Sequence, residues 1–139
     1  MQGDLFFTTS SETQDDVGMC SALLESVKRV FLNSFCFGYR IKDKNKMNSN
    51  YARFYFRGYY FRLSMRKIAQ GSTRYNLSKL ALMKTNIPLP PLPEQMEIAD
   101  ILTAIDDRIG EYRAKLEALT RLKSGLMQQL LTGKTRVRV

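Results

Sequence analysis

Asn86-Ile-Pro-Leu-Pro-Pro-Leu-Pro-Glu-Gln-Met-Glu-Ile-Ala99 divides this chain into two parts of different character. Its prolines at 88, 90, 91 and 93 lack the amide hydrogen that a helix interior or a central strand requires. Each also pushes the residue before it toward β or polyproline geometry. The spacing predicts a short, stiff, extended segment that enters a helix at Pro93 or Glu94. Such a junction sets the direction in which a helix leaves a globular body.

Downstream of the junction, apolar side chains recur at Ile98, Leu102, Ile105, Ile109, Tyr112, Leu116 and Leu119. Steps of four and three alternate, which is the heptad seam of a coiled-coil helix. Lys123 interrupts the seam and Leu126 and Leu130 resume it. Gly133 predicts the stop, with Lys134, Arg136 and Arg138 just beyond. Gly110 weakens the helix by about 1 kcal/mol relative to alanine. From Glu94 to Thr132 the helix is about 58 Å long. A seam of that length outruns a body built from residues 1–93. It is expected to face a partner helix, in the same chain or another, and a homodimer through residues 98–130 is the simplest form.

Upstream, the pattern reads as α+β. Asp4–Thr9 alternates as a strand and leads into a polar loop over 10–16. Gly18–Leu24 is a second apolar run. Val30–Ile41, rich in β-branched and aromatic residues, predicts a strand pair or one long bent strand. Residues 42–50 form an exposed loop, and Asn48 is placed to cap the next element. Spacings of three and four from Tyr51 to Leu63 predict helices over about 50–60 and 61–70, with Gly71 as a helix stop. A polar loop over 72–76 precedes a short turn capped by Ser78 and a strand over Met83–Leu89. The expected architecture is a domain with a small mixed or antiparallel sheet over residues 1–93, one long coiled-coil-type α-helix over 94–133, and a basic tail over 134–139.

Charge narrows the function. The 139 residues carry a net charge of +9 and a pI near 9.8, a balance suited to polyanions. Residues 1–93 hold 14 basic and 6 acidic side chains, whereas residues 94–139 hold 8 and 7. Between Arg40 and Lys84 there are 12 basic residues and one acid, Asp43. A membrane surface suits that window less well than nucleic acid does, because the helix itself is nearly neutral. No histidine is present, which removes His-based acid–base catalysis, Ser-His triads and the usual zinc sites. Cys20 and Cys36 read as buried free thiols of a reducing compartment. No run approaches the roughly 20 apolar residues of a membrane span. No basic segment precedes an apolar core at the N-terminus, so a cytoplasmic location is expected. A Gly-rich phosphate loop and an Asn/Asp-Pro-Pro-Tyr/Phe tetrad are both missing, since Leu89-Pro-Pro-Leu92 is not one. The adjacent Asp106 and Asp107 read as a solvated helix face. No catalytic residue, metal or cofactor is expected.

Within the basic window, Lys42, Lys44 and Lys46 are candidates for phosphate contacts. Ser72, Thr73, Arg74, Tyr75 and Asn76 are candidates for groove contacts, and Thr8–Ser11 is a further candidate loop. The competing structural reading has the lysines solvating a loop and Arg53, Arg57, Arg62 and Arg66 lining an outer helix face. The aromatics of the window read as core rather than as stacking platforms.

Together these residues resemble a known family. The proline junction through Leu102, the long helix and Leu130-Leu-Thr-Gly-Lys-Thr-Arg136 look like the specificity (S) subunit of Type I restriction–modification enzymes. Gly3-Asp-Leu-Phe-Phe-Thr8 resembles the family's Gly-Asp-apolar strand. Leu32-Asn-Ser-Phe-Cys-Phe-Gly-Tyr-Arg40 resembles the strand before the helical part of a target recognition domain, and Gly71-Ser-Thr-Arg-Tyr-Asn-Leu-Ser78 resembles the family's Gly-Ser/Thr-rich loop before the last strand. The resemblance implies duplex DNA as a partner and no catalysis of the chain's own. It also implies modification subunits, the adenine methyltransferases, and through them restriction subunits. It further implies a spacer helix that pairs antiparallel with another. Two recognition domains are usual in the family. One is found here, and it is expected to be N-terminally incomplete, as in a C-terminal fragment, a truncated product or a half subunit. A truncated product acting only through its helix, without reading DNA, is the alternative.

Overall fold

The computed structural model describes residues 1–29 and 31–138, and the expected strand start at Val30 lies outside them. The chain forms two compact units, residues 1–100 and residues from Ile101 onward.

The first unit is built on β1 (Leu5–Thr8), flanked by β3 (Cys20–Ala22) and β4 (Cys36–Tyr39) in an antiparallel sheet of order β3-β1-β4. Leu5 pairs with Ala22 and Tyr39, and Thr8 pairs with Cys36. Alternation along β1 turns Leu5 and Phe7 inward to full burial and leaves Phe6 half-buried. On that inner face lie α1 (Ser49–Tyr55) and α2 (Tyr59–Ile68). Phe7 stacks on Phe37 with ring centres 5.5 Å apart and meets Phe56 edge-on at 5.3 Å; Phe56 meets Phe61 at 4.7 Å. Each such ring contributes about 2–3 kcal/mol by burial, so the aromatics of the basic window are mainly core. Tyr59 and Tyr60 depart from this and are largely exposed. As expected, Asn48 caps α1, its Oδ1 accepting from the amides of Asn50 and Tyr51.

Several expected elements differ in the structure. Ser10–Ser11 is not loop but a strand, β2, paired antiparallel with β5 (Tyr75–Asn76), which was expected to be loop as well. Both are too short to show a period of two. Of residues 31–41, only β4 is strand. Residues 31–35 do not join the sheet, and Phe31 is 87 % exposed. Helix α2 ends at Ile68 rather than at Gly71, because Gln70 exchanges both backbone hydrogen bonds with Asn76. Residues 83–89 are not a strand: Lys79–Met83 is the short helix α3, and no regular element comes after it until α4 (Leu92–Leu131). The amides of Lys84 and Thr85 close α3 on the carbonyls of Leu80 and Leu82, and Pro88 has no amide to give. Ser78 takes the N-cap position of α3 without a side-chain bond. Both cysteines are free. Burial pushes the Cys20 thiol up to about 12, and Cys36 is half-buried.

Helix α4 begins one to two residues before the expected start, and its first turns belong to the first unit. There Gln95 is fully buried. Its Oε1 accepts from the Asn48 amide at 2.9 Å, while its Nε2 donates to the carbonyls of Lys46 at 2.9 Å and Pro90 at 2.7 Å. Ala99, one turn on, is buried too. The sheet's outer end is tied by Arg40, which grips both carboxylate oxygens of Asp4 at 2.7 and 2.6 Å. That bond, with the N-terminal ammonium, holds the Asp4 carboxyl well below the usual carboxylate range.

In the second unit the helix continues to Leu131. Gly133, at φ +71°, turns the chain as expected, a backbone that favours glycine. The Gly133 amide donates to the Leu130 carbonyl and the Thr135 amide to that of Gln129. Ile105, Ile109, Tyr112, Leu116, Leu119, Leu126 and Leu130 are exposed, and Ile98 and Leu102 half-buried. No helix among the described residues is long and apolar enough to cross a membrane.

Replacing Gln95 by Leu keeps the volume and strands one amide and two carbonyls. We expect a loss of about 3 kcal/mol, measured by urea unfolding monitored through the near-ultraviolet circular dichroism of the aromatic core. A change below about 1 kcal/mol refutes the role given to this amide.

Candidate nucleic-acid interface

Three polar segments converge beyond the Thr8 end of β1. The Thr9 amide donates to the Phe35 carbonyl at 2.7 Å, and the Leu77 amide donates to the Thr9 carbonyl at 2.8 Å. Ser10 and Ser11 then pair with Asn76 and Tyr75. The candidate loops at 8–11 and 72–76 are therefore one structure, with the 33–35 turn alongside. Residues 71–75 form a tight loop closed by the Gln70–Asn76 exchange, in which the two N···O distances are 2.9 and 2.8 Å. Gly71 has φ +133°, and a Cβ there lies only 2.1 Å from the Arg74 carbonyl oxygen, so no other residue fits this turn. The loop leaves Ser72, Thr73 and Arg74 exposed and Tyr75 half-buried. Asn76 donates its side-chain amide to the Arg74 carbonyl at 3.2 Å, so it shapes the loop from within.

The neighbouring 13–17 loop is held by arginines of α2. Arg62 donates to the carbonyls of Val17, at 2.8 Å, and Asp15, while Arg66 meets the Asp15 carboxylate at 2.6 Å. Gln14 donates to the Arg66 carbonyl at 2.9 Å. Arg62 does not line an outer face. It is half-buried, and burial together with the adjacent Arg66 pulls its pKa below the usual value. Arg53 lies 4.3 Å above the Phe54 ring.

The lysine candidates sit elsewhere. Strand β4 runs antiparallel to β1, so residues 42–46 emerge at the Leu5 end of the sheet, opposite the loop cluster. There Lys46 lies 3.8 Å from Asp43 and gives its carbonyl to Gln95. Among the described residues, no carboxylate pairs with Lys42 or Lys44, and both are exposed. Glu12, Phe35 and Gln95 escaped the sequence reading. Glu12 and Phe35 carry no local pattern, while Gln95 had a signal in its spacing of four from Ala99 inside an apolar face. No cluster of three or more metal-ligating side chains occurs among the described residues.

Comparison with known proteins bears on this geometry. The profile of the Type I restriction modification DNA specificity domain matches residues 3–121. A Methanocaldococcus jannaschii protein, provisionally named as the specificity subunit of type I restriction enzyme MjaX, is 37% identical over 98 residues, covering 70% of this chain and 23% of its own. The type I restriction enzyme MjaVIII specificity subunit of the same organism is 35% identical over 79 residues, covering 57% and 19%. The crystal structure of a Type-I restriction-modification system S subunit from M. genitalium superposes with a TM-score of 0.73 at 15% identity, over 93% of this chain and 32% of that one. The chain thus spans about a quarter or less of these curated relatives.

Gly71→Ala forces the loop off the Arg74 carbonyl. We expect a cost of about 2 kcal/mol, with faster hydrogen exchange at the Gln70 and Asn76 amides. Unchanged protection of those two amides contradicts the closed loop.

Proposed function

The chain belongs to the Type I restriction–modification DNA specificity family, and from that premise we propose that it is a non-catalytic DNA-recognition module acting in the cytoplasm. The observation that carries this reading is the joining of two separate polar loops into one rigid cluster on a strongly basic unit. A preorganised cluster suits base edges, because binding does not have to order it first. Ser72, Thr73, Arg74 and Tyr75 are the groove-facing side chains and Asn76 shapes their loop. Lys42 and Lys44, with Lys46 paired to Asp43, supply sequence-independent attraction to phosphates from the far end of the sheet. Modification subunits, and restriction subunits through them, are the partners proposed to carry out chemistry on the bound site.

The exposed seam supports a second element of the reading, a homodimer through residues 98–130. A parallel in-register pair sets Lys123 against Lys123 at a core position and Arg108 beside Arg113, both unfavourable. Antiparallel pairing about residue 114 instead matches Ile98 with Leu130, Leu102 with Leu126, Ile109 with Leu119 and Tyr112 with Leu116. It also moves the two Lys123 ammoniums apart, each opposite an Ile105. Its electrostatic cost is Arg113 beside its own mate on one flank of the axis and Lys115 beside its own on the other. The same seam favours the alternative in which the chain only pairs helices and reads no DNA, and duplex binding separates the two.

In fluorescence anisotropy with an arbitrary duplex, we expect binding at about 50 mM salt that weakens steeply by about 200 mM. Lys42→Ala with Lys44→Ala should lower the salt slope by about 2. No binding at the lower salt overturns the DNA reading and leaves the helix-only alternative. Sedimentation at micromolar concentration should give a dimer, and Ile105→Glu with Leu116→Glu should give a monomer. A wild-type monomer refutes the pairing.

A further inference from the structure

At the centre of the loop cluster, one arginine is held differently from the others. Arg62 and Arg66 bind the backbone and carboxylate of the 13–17 loop and serve the fold. Arg74 has no such duty. Its Nη2 lies 3.3 Å from Glu12 Oε1, and its guanidinium carbon lies 4.9 Å above the Phe35 ring. Among the described residues the guanidinium makes no other hydrogen bond. Both partners are surface residues, the Glu12 side chain being 81 % exposed. An ion pair so exposed contributes at most about 1 kcal/mol to stability, so its consequence is orientation rather than folding.

Backbone bonds hold the chain at or next to each wall of this clamp. Glu12 adjoins Ser11, which pairs with Tyr75. Phe35 is held through its amide, which donates to Asn33 Oδ1 at 3.1 Å, and through its carbonyl, which accepts from Thr9. Arg74 itself rides on the Gly71 turn. A long side chain with four rotatable bonds thereby lies between a carboxylate and an aromatic face, and its other N–H groups make no hydrogen bond among the described residues.

We propose that Arg74 is a specificity-determining residue that reads guanine in the major groove, with Glu12 and Phe35 as its positioning residues; this rests on the DNA reading above. Guanine offers O6 and N7 as adjacent acceptors, which match the guanidinium fork. A phosphate offers acceptors of similar spacing, but it brings its full negative charge beside the Glu12 carboxylate that already faces Arg74. The clamp therefore favours a base edge over the backbone. Glu12 also neutralises Arg74 in the free protein, which suppresses binding to arbitrary sequence.

The test is selection of bound duplexes from a pool randomised at the centre, using the full chain and checking every variant for an unchanged melting temperature. The wild type should enrich a guanine at one position. Arg74→Ala should still bind duplex, with a salt slope smaller by no more than about 1, and should lose about 5- to 150-fold preference at that position. Arg74→Lys should keep overall affinity and lose most of the preference, because an ammonium is a point charge. Glu12→Ala should weaken the preference while strengthening binding to arbitrary duplex, a pair of changes that a purely structural role does not produce. Phe35→Leu should weaken the preference alone. An unaltered guanine in both Arg74 variants overturns the inference, as does wild-type binding with no base preference, and in both cases duplex binding itself stands. Failure of the wild type to bind any duplex overturns the proposed function and this inference with it.

Discussion

A buried amide joins the parts of the first unit. Gln95 uses its oxygen and both amide hydrogens on groups from three places in the chain: Pro90, Lys46 and Asn48. A polar side chain removed from water is tolerable only when its hydrogen-bonding capacity is met. Here the residues that meet it are the end of the proline segment, the end of the lysine loop and the N-cap of α1. The first turn of α4, the proline segment and the start of α1 are therefore tied at one point. Helix α1 in turn leads into the Phe56–Phe61 contact that covers β1. The prolines limit the conformations of the segment, and the amide selects among those that remain.

The cations of the unit divide by task. Arg40, Arg62 and Arg66 are engaged by carboxylates and carbonyls within the fold. Lys42 and Lys44 are exposed and meet no carboxylate among the described residues. Arg74 stands between these groups, paired yet presented. The formal charge of the window therefore overstates the field available to a ligand, and the polar cluster at the Thr8 end of the sheet is nearly balanced by Glu12, Asp15 and Asp16. The exposed lysines and the Arg74 cluster thereby lie at opposite ends of the sheet, which supports the proposal that the chain approaches DNA through phosphates and reads it with a few oriented side chains.

Much of this was legible in sequence. The long helix, its seam and the Gly133 stop came from periodicity over many residues, which averages out local exceptions. The Asp4–Thr9 strand, the Asn48 cap and the two helices of the aromatic segment were legible as well, with boundaries off by a few residues. What failed was short. Strands β2 and β5 have two residues each, and their pairing joins positions more than sixty apart in sequence, a relation no local pattern records. Residues 83–89 carry strand-like apolar residues, but the end of α3 takes the first amides and Pro88 lacks one. A glycine after a helical run usually stops the helix, whereas Gly71 makes room for the Arg74 carbonyl oxygen.

The sequence by itself determined the two-part organisation, the α+β class, the heptad seam, the concentration of positive charge between Arg40 and Lys84, and the family resemblance. Each is a property of composition or of regular spacing along the chain. Only the tertiary structure decided that the 8–11 and 72–76 segments form one paired cluster and that the lysine loop lies at the opposite end of the sheet. It alone turned Arg62 inward and placed Glu12 and Phe35 around Arg74. Those outcomes depend on strand pairing and on where a few buried hydrogen bonds close, which are contacts between distant residues and leave no period in the sequence.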